Sequence, residues 1–295
     1  IQLDMSIFLV AALLAPALAP RPAAPPEELV RKLLAKVGLG GLAQAVGSPR
    51  LDWFNKGLDA DDAKVVAYVV SVSTVLSELD VGGNALGDMG VAAIAQALPS
   101  SPTLAVLSLG ANALGDAGAV ALAQVLRENK VVTTLTLGGN SIGDKGAAAI
   151  AEALKTNAVL KELVIGAQSI GAVGASALSE ALKVNMVLKE LSLTGNSIGD
   201  AGAAALAGAL GVNSALAVLD ARSCSIGSEG GKAIAEALEV NGGAGRALEL
   251  TLMGNFIGGA GIAAIRKVLR PNTITAPHLE AQAGRRSVRG AAEWV

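Results

Sequence analysis

The sequence predicts an α/β solenoid: a right-handed horseshoe with a parallel β-sheet on its concave face and helices on its convex face. Two observations predict it. The string Asn-x-Ile/Leu-Gly recurs with Asn at 84, 112, 140 and 196, gaps of 28, 28 and 56 residues, so a single 28-residue period runs through the chain. Hydrophobic residues make up 52% of the chain and aromatics only 2%, alongside 36 glycines. A large globular core normally uses Phe, Tyr and Trp to fill volume. Thin repeated layers can be filled by Leu, Ile, Val and Ala instead.

The period accounts for nearly all of the chain. Gln168 and Cys224 occupy the asparagine column where the motif is degenerate, and Asn255 follows after a step of 31, its three extra residues falling in the Gly-rich stretch 241–246. Stepping back 28 from Leu79 and Leu86 gives Leu51 and Leu58, an eighth unit with Lys56 in the column. One unit reads Leu188-x-x-Leu191-x-Leu193-x-x-Asn196-x-Ile198-Gly199-Asp200-x-Gly202, followed by Ala203 to Leu210. Leu191 and Leu193 are two apart and share a strand face; Leu206 and Leu210 are four apart and share a helix face. One unit cannot bury both stripes, and stacking does. Parallel strands joined by outer helices make the coil right-handed.

The turn residues carry three further expectations. Asp88, Asp116, Asp144 and Asp200 stand just before a helix and are expected to cap its first amides. Gly90, Gly118, Gly146, Gly174, Gly202, Gly230 and Gly261 recur at one place despite the helix cost of glycine, about 1 kcal/mol, which points to close backbone approach between coils. The asparagine column is expected to tie neighbouring turns through side-chain-to-backbone bonds, with softer coils at Lys56, Gln168 and Cys224.

The first half of the unit matches the leucine-rich-repeat signature, and the long 28-residue form with a full helix resembles the ribonuclease-inhibitor type. The segments Ile142-Gly143-Asp144-x-Gly146-Ala147 and Ile150-Ala151-Glu152-Ala153-Leu154 resemble the repeats of NOD-like receptors; similar repeats occur in Ran GTPase-activating proteins. The resemblance covers about Leu51 to Leu269. It implies a protein-binding scaffold, with two alternatives: the sensor segment of a NOD-like receptor, or a GTPase activator of the Ran type, although the tail here is basic where that family carries an acidic one.

The organisation expected is an apolar and Pro/Ala-rich segment over 1–26, a capping helix region over 27–50, the repeat domain over 51–270 and a tail over 271–295. Residues Ile7 to Ala19 are apolar apart from Pro16 and too short for a membrane span of about 20 residues. Read as a signal peptide over residues 5–19 they would imply secretion, but no Lys or Arg precedes Arg21. The expectation is a cytoplasmic protein: there is one cysteine, and none of the asparagines opens an Asn-x-Ser/Thr acceptor. From Glu27 to Val37, Leu29, Val30, Leu33, Leu34 and Val37 share a helix face suited to covering the open first coil.

The residues point away from catalysis. The single histidine, His278, lies beyond the repeats, and Cys224 sits in the asparagine column. With one of each, neither a nucleophile–base pair nor a His/Cys metal site is expected, and no cofactor. Gly227-Ser228-Glu229-Gly230-Gly231-Lys232-Ala233 has the wrong spacing for a phosphate loop and lacks the hydroxyl after lysine. A net charge of −2 gives no basic footprint for nucleic acid. What remains is a surface for a partner protein. The residues flanking each inward leucine pair project from the concave sheet, and the richest patch there is Lys161, Glu162, Val164, Lys189, Glu190, Ser192, Asp220 and Arg222.

Overall fold

The computed structural model describes residues 22–240 and 248–268. The apolar N-terminal segment, the 241–246 insertion and the tail with His278 lie outside the described residues. Two helices, α1 (Glu27–Val37) and α2 (Leu42–Val46), precede eight strand–helix coils. The strands are β1 (Arg50–Asp52), β2 (Glu78–Asp80), β3 (Val106–Ser108), β4 (Thr134–Thr136), β5 (Glu162–Val164), β6 (Glu190–Ser192), β7 (Val218–Asp220) and β8 (Glu249–Thr251). The helix of each coil follows its strand: α3 (Ala60–Val72), α4 (Gly87–Ala97), α5 (Asp116–Leu126), α6 (Asp144–Leu154), α7 (Ala172–Val184), α8 (Gly199–Leu210), α9 (Ser228–Val240) and α10 (Gly258–Val268).

All eight strands form one parallel sheet in chain order. The register keeps equivalent residues opposite one another, so Leu107, Leu135, Leu163, Leu191 and Leu219 form a row of central leucines buried to 1% exposure or less. Helix leucines and isoleucines such as Leu122, Ile150, Leu178 and Leu206 close the layer from the other side. Burying such side chains stabilises by roughly 1.5–3 kcal/mol each, and the core continues from coil to coil.

The first coil is covered by α1, whose Leu33 is fully buried in the core while Leu29, Val30 and Val37 pack half-buried against it. Charge reinforces the contact. Lys32 Nζ lies 2.9 Å from Asp59, and Lys36 pairs with Asp62, which has no exposed surface, while donating to the Gly57 carbonyl at 2.8 Å. Asp59 and Asp62 form a reciprocal capping box at the start of α3.

Side-chain amides tie the coils along one edge. Asn140 Oδ1 accepts from the Asn112 and Leu114 amides at 2.7 and 3.0 Å, and its Nδ2 donates to the Leu109 carbonyl at 3.0 Å. Asn84 and Asn255 bond in the same way. The departures expected to be soft are partly made good. Gln168 still accepts from the Ile142 amide and donates to the Leu137 carbonyl, and the Cys224 thiol reaches the Leu193 carbonyl at 3.1 Å. A second ladder, unforeseen from the sequence, runs along the opposite edge through Asn157, Asn185 and Asn213. Each donates to carbonyls of the preceding coil and accepts from its own strand approach. Its 28-residue spacing was present in the sequence.

The aspartates correct an expectation. Asp88, Asp116, Asp144 and Asp200 do not cap their own helices. Each carboxylate accepts from two amides at the helix start of the next coil: Asp144 from Gly171 and Gly174, both at 2.8 Å, and likewise Asp88, Asp116 and Asp200. A carboxylate at a helix N-terminus is favoured wherever its backbone comes from, and the stacking places the next helix nearest. The same carboxylate crowds the glycines that follow it, and where no aspartate stands behind, at Gly90 and Gly202, the coil's own Leu86 or Ile198 and the preceding coil's Ala63 or Ala175 fill the space a Cβ would take, at 2.7 to 3.0 Å. A Cβ on Gly146 would lie 2.8 Å from the Asp116 carboxylate and 2.7 Å from Ile142.

Where the aspartate is missing, the turn changes. Coils one, five and seven carry Ala60, Ala172 and Ser228 at that place, and in each following coil the first glycine turns left-handed: Gly87 at φ +59°, Gly199 at +60° and Gly258 at +65°. With an aspartate behind them Gly115, Gly143 and Gly171 hold φ near −100°. The freed amides of Gly87 and Gly199 bond forward instead, to the carbonyls of Asn112 and Cys224. The receiving turns adjust, placing Ala113 and Ser225 at φ +54° and +58°. A separate column just before the asparagines is left-handed in all eight coils, through Asn55, Gly83, Ala111, Gly139, Ala167, Gly195, Ser223 and Gly254.

Replacing Asp144 with Ala removes both cross-coil bonds and leaves the Gly171 and Gly174 amides without their acceptor. The expected loss is about 1–3 kcal/mol, read as a lower denaturation midpoint in urea with an unchanged slope. Lys145→Ala, one residue along the same helix and exposed, is expected to stay within about 0.5 kcal/mol of the parent.

Candidate protein-interaction surface

The concave face is built by strand alternation. In each strand the central leucine is buried and its two neighbours point the other way, which puts Glu162 and Val164, Glu190 and Ser192, and Val218 and Asp220 side by side on β5, β6 and β7. Lys161 and Lys189 sit one residue before the strands, exposed at the sheet margin. The eight residues singled out from the sequence therefore fall into two groups on the face and a lysine pair at its border.

The two groups differ in charge balance. Asp220 is held by Arg222, whose Nε and Nη2 approach its carboxylate at 2.9 and 2.6 Å. That pair is internally neutral, and the aspartate raises the guanidinium pKa further. Glu162 and Glu190 stand opposite each other on adjacent parallel strands. Among the described residues no cation forms an ion pair with either; Glu162 has a long contact of 3.4 Å from the Thr134 hydroxyl. Burial, then the charges of Glu162 and Glu249, push the Glu190 carboxyl above its ordinary range. Like charges opposite one another on a sheet destabilise it.

The near end of the face is also acidic but better compensated. Arg50 lies 3.3 Å from Glu78 across β1 and β2. Burial, joined by the charge of Asp52, raises Asp80, while the Gly82 amide bonded to it at 2.8 Å opposes the rise. Glu78 and Asp80 flank the inward Leu79 and so lie on this face, and the register sets them opposite Arg50 and Asp52. Between the two ends Gly82, Gly110, Gly138 and Gly166 form a row without side chains just past the strands, beside Val106, Ser108, Thr134 and Thr136 of β3 and β4. A Cβ on Gly166 would come within 2.8 Å of the Thr194 carbonyl and one on Gly110 within 3.0 Å of the Gly138 carbonyl, whereas one on Gly138 would meet only ordinary contact at 3.5 Å.

The rest of the described molecule offers little chemistry. No group of three or more His, Cys, Asp or Glu side chains converges in a metal-binding arrangement among the described residues. Cys224 is buried, which raises its thiol pKa, so it is protonated and inaccessible at neutral pH. The glycine-rich turn at 227–233 presents its Gly227 and Gly230 amides to Asp200, at 2.6 and 2.9 Å, leaving no free cradle for a phosphate. Among the described residues no helix is long and apolar enough to cross a membrane.

Comparison with known proteins agrees with the coil geometry. A family model described as Leucine Rich repeat matches residues 72–95, 100–123, 128–151, 184–207 and 212–235. The fold is that of a leucine-rich-repeat solenoid. The stretch left unmatched between 151 and 184 holds Gln168, the glutamine of the asparagine column. No curated protein matches the chain by sequence. Among solved structures, the leiomodin-1 actin-binding site 2 is similar at 21% identity and a TM-score of 0.36, over 59% of this chain and 80% of that one. An internalin from Listeria monocytogenes str. 4b F2365 is similar at 19% identity and a TM-score of 0.44, over 73% of this chain. The chain spans about half, 51%, of that internalin.

The Glu190 shift sets a pH dependence. Its pKa is higher folded than unfolded, so its contribution favours the fold below the ordinary glutamate value of 4.5 and is lost as pH rises through the raised folded value. Glu190→Gln is therefore expected to gain stability relative to the parent as pH rises from 4 toward neutrality, and to show no gain below 4. Urea unfolding of both proteins across that range checks it.

Proposed function

We propose that the solenoid is a non-catalytic scaffold that binds a partner protein on its concave face, with Glu162 and Glu190 receiving a basic group from that partner. The observation that carries the reading is this carboxylate pair: two uncompensated like charges in register on a buried-backed sheet. Such an arrangement costs the free protein stability, and an arginine or lysine set between the two would offset the repulsion with charge-assisted hydrogen bonds. The neutral Asp220–Arg222 pair and the glycine row supply a polar margin and a close-approach surface on either side.

The finer kinship to ribonuclease-inhibitor-type repeats is part of the same proposal. It is supported by the 28-residue period and by helices of 11 to 13 residues in the coils. A sensor segment of the NOD-like-receptor kind would be one form of such a scaffold.

The test is paired affinity capture from the native cell with the parent and the Glu162→Lys/Glu190→Lys variant, circular dichroism first verifying that both are equally folded. Proteins bound through this site are expected to be retained by the parent and reduced about tenfold or more by the variant, in line with the 2–5 kcal/mol lost when one side of a buried charge pair is removed. Identical captured sets would overturn the site.

A further inference from the structure

We infer that the joint between coils five and six is a hinge built into the solenoid, at which coils six to eight undock from coils one to five as a unit. Three separate observations meet there. On the helix side, Ala172 stands where other coils carry the bridging aspartate, so no carboxylate of coil five reaches the start of the next helix; the Gly202 amide bonds within its own coil to the Ile198 carbonyl at 3.1 Å, and Gly199 bonds forward to Cys224, into coil seven. Along the turn edge, Asn196 Oδ1 accepts the Ile170 amide alone, at 3.1 Å, as Asn112 and Gln168 accept one amide each at joints that keep their aspartate, whereas Asn140 takes two amides of the coil before it. On the sheet side, Glu162 and Glu190 face each other across the joint, beside Val164 and Ser192.

No other joint combines these features among the described residues. The joint between coils one and two also lacks its aspartate, through Ala60, but there Arg50 pairs with Glu78 across the strands and Asn84 accepts both the Lys56 and Leu58 amides at 2.9 Å. The last joint has Ser228 in place of aspartate, yet its hydroxyl donates to the Ile257 carbonyl at 2.7 Å and Asn255 makes its full set of bonds. At the joint between coils three and four, Asp116 binds both glycine amides of the next helix. In a solenoid, stability is close to a sum over coils and joints, so the joint that combines a missing aspartate, a single asparagine bond and facing like charges opens at the lowest free energy. Leucine packing and the Asn213 bonds to the Leu182 and Asn185 carbonyls keep it closed in the ground state.

The hinge has a consequence that rests on the binding reading above: a basic group held by both Glu162 and Glu190 bridges the joint and favours its closed form. The hinge itself needs no partner, and its test uses none.

Native-state hydrogen exchange of the full chain reads it directly. The Ile165, Ala167, Lys189 and Ser197 amides bond across the joint between coils five and six, and Leu109, Ala111, Thr133 and Ser141 occupy the same places between coils three and four. The first set is expected to exchange at least about tenfold faster, through an opening shared by all four. Ala172→Asp offers the Gly199 and Gly202 amides a carboxylate across the joint in place of their present Cys224 and Ile198 carbonyl acceptors, and is expected to slow that set about tenfold. Glu190→Lys, which replaces repulsion by attraction without touching the turn, is expected to slow it about two- to fivefold; should Ala172→Asp fail to fold, this variant decides alone. Equal protection at the two joints, a smooth gradient of protection inward from the last coil, or a folded variant of either kind that leaves the ratio unchanged overturns the hinge. Partner capture plays no part in these outcomes, so losing the binding site would leave the hinge standing, and the reverse.

Discussion

The structure depends on one constraint: the turn amides of each coil find their acceptors on a different coil. A short strand, a tight turn and a helix start leave a cluster of backbone N–H groups that the coil cannot satisfy internally, and burying one without a partner costs about 1–3 kcal/mol. The asparagine ladder, the second ladder on the opposite edge and the forward-reaching aspartates all answer that demand. Leucine packing makes the coils adhere, but leucines alone would tolerate sliding. The directional bonds fix the register, and with it which side chains appear on the concave sheet.

The aspartate and its glycine show how closely local conformation follows the neighbouring coil. Gly143 and Gly199 are equivalent in the repeat and differ in the sign of φ, and what separates them is the residue 27 positions earlier, Asp116 or Ala172. The backbone choice at one turn is thus set by a side chain on the previous one. It passes onward, since the forward bond of Gly199 reaches Cys224 and the adjoining Ser225 turns left-handed in its place.

Much of this fold was legible because periodic sequence and periodic structure share a single cause. The strand positions follow from the leucine spacing, and the parallel sheet from the repetition of strand and helix. The aspartates were misassigned for a specific reason. Capping rules describe a helix and its own flanks, while in a stack the nearest helix start belongs to the next coil. The second asparagine ladder was overlooked although Asn129, Asn157, Asn185 and Asn213 are evenly spaced, because it falls outside the signature half of the unit. The candidate surface was legible as residues and not as electrostatics. Nothing in the sequence says that Arg222 folds back on Asp220 while Lys161 and Lys189 stay at the margin.

The left-handed column before the asparagines alternates strictly in kind. Asn55, Ala111, Ala167 and Ser223 bear a side chain at φ near +52°, and the glycines between them sit at +67° to +73°. A side chain in that region carries strain of about 1–2 kcal/mol for an ordinary L-residue and little for asparagine, so strain falls on Ala111, Ala167 and Ser223, two coils apart, and is largely avoided at Asn55. The mechanical unit of this edge is therefore a pair of coils rather than one. A chain assembled from copies of a single coil would either crowd its strained turns together or dispense with them, and could not reproduce the alternation found here.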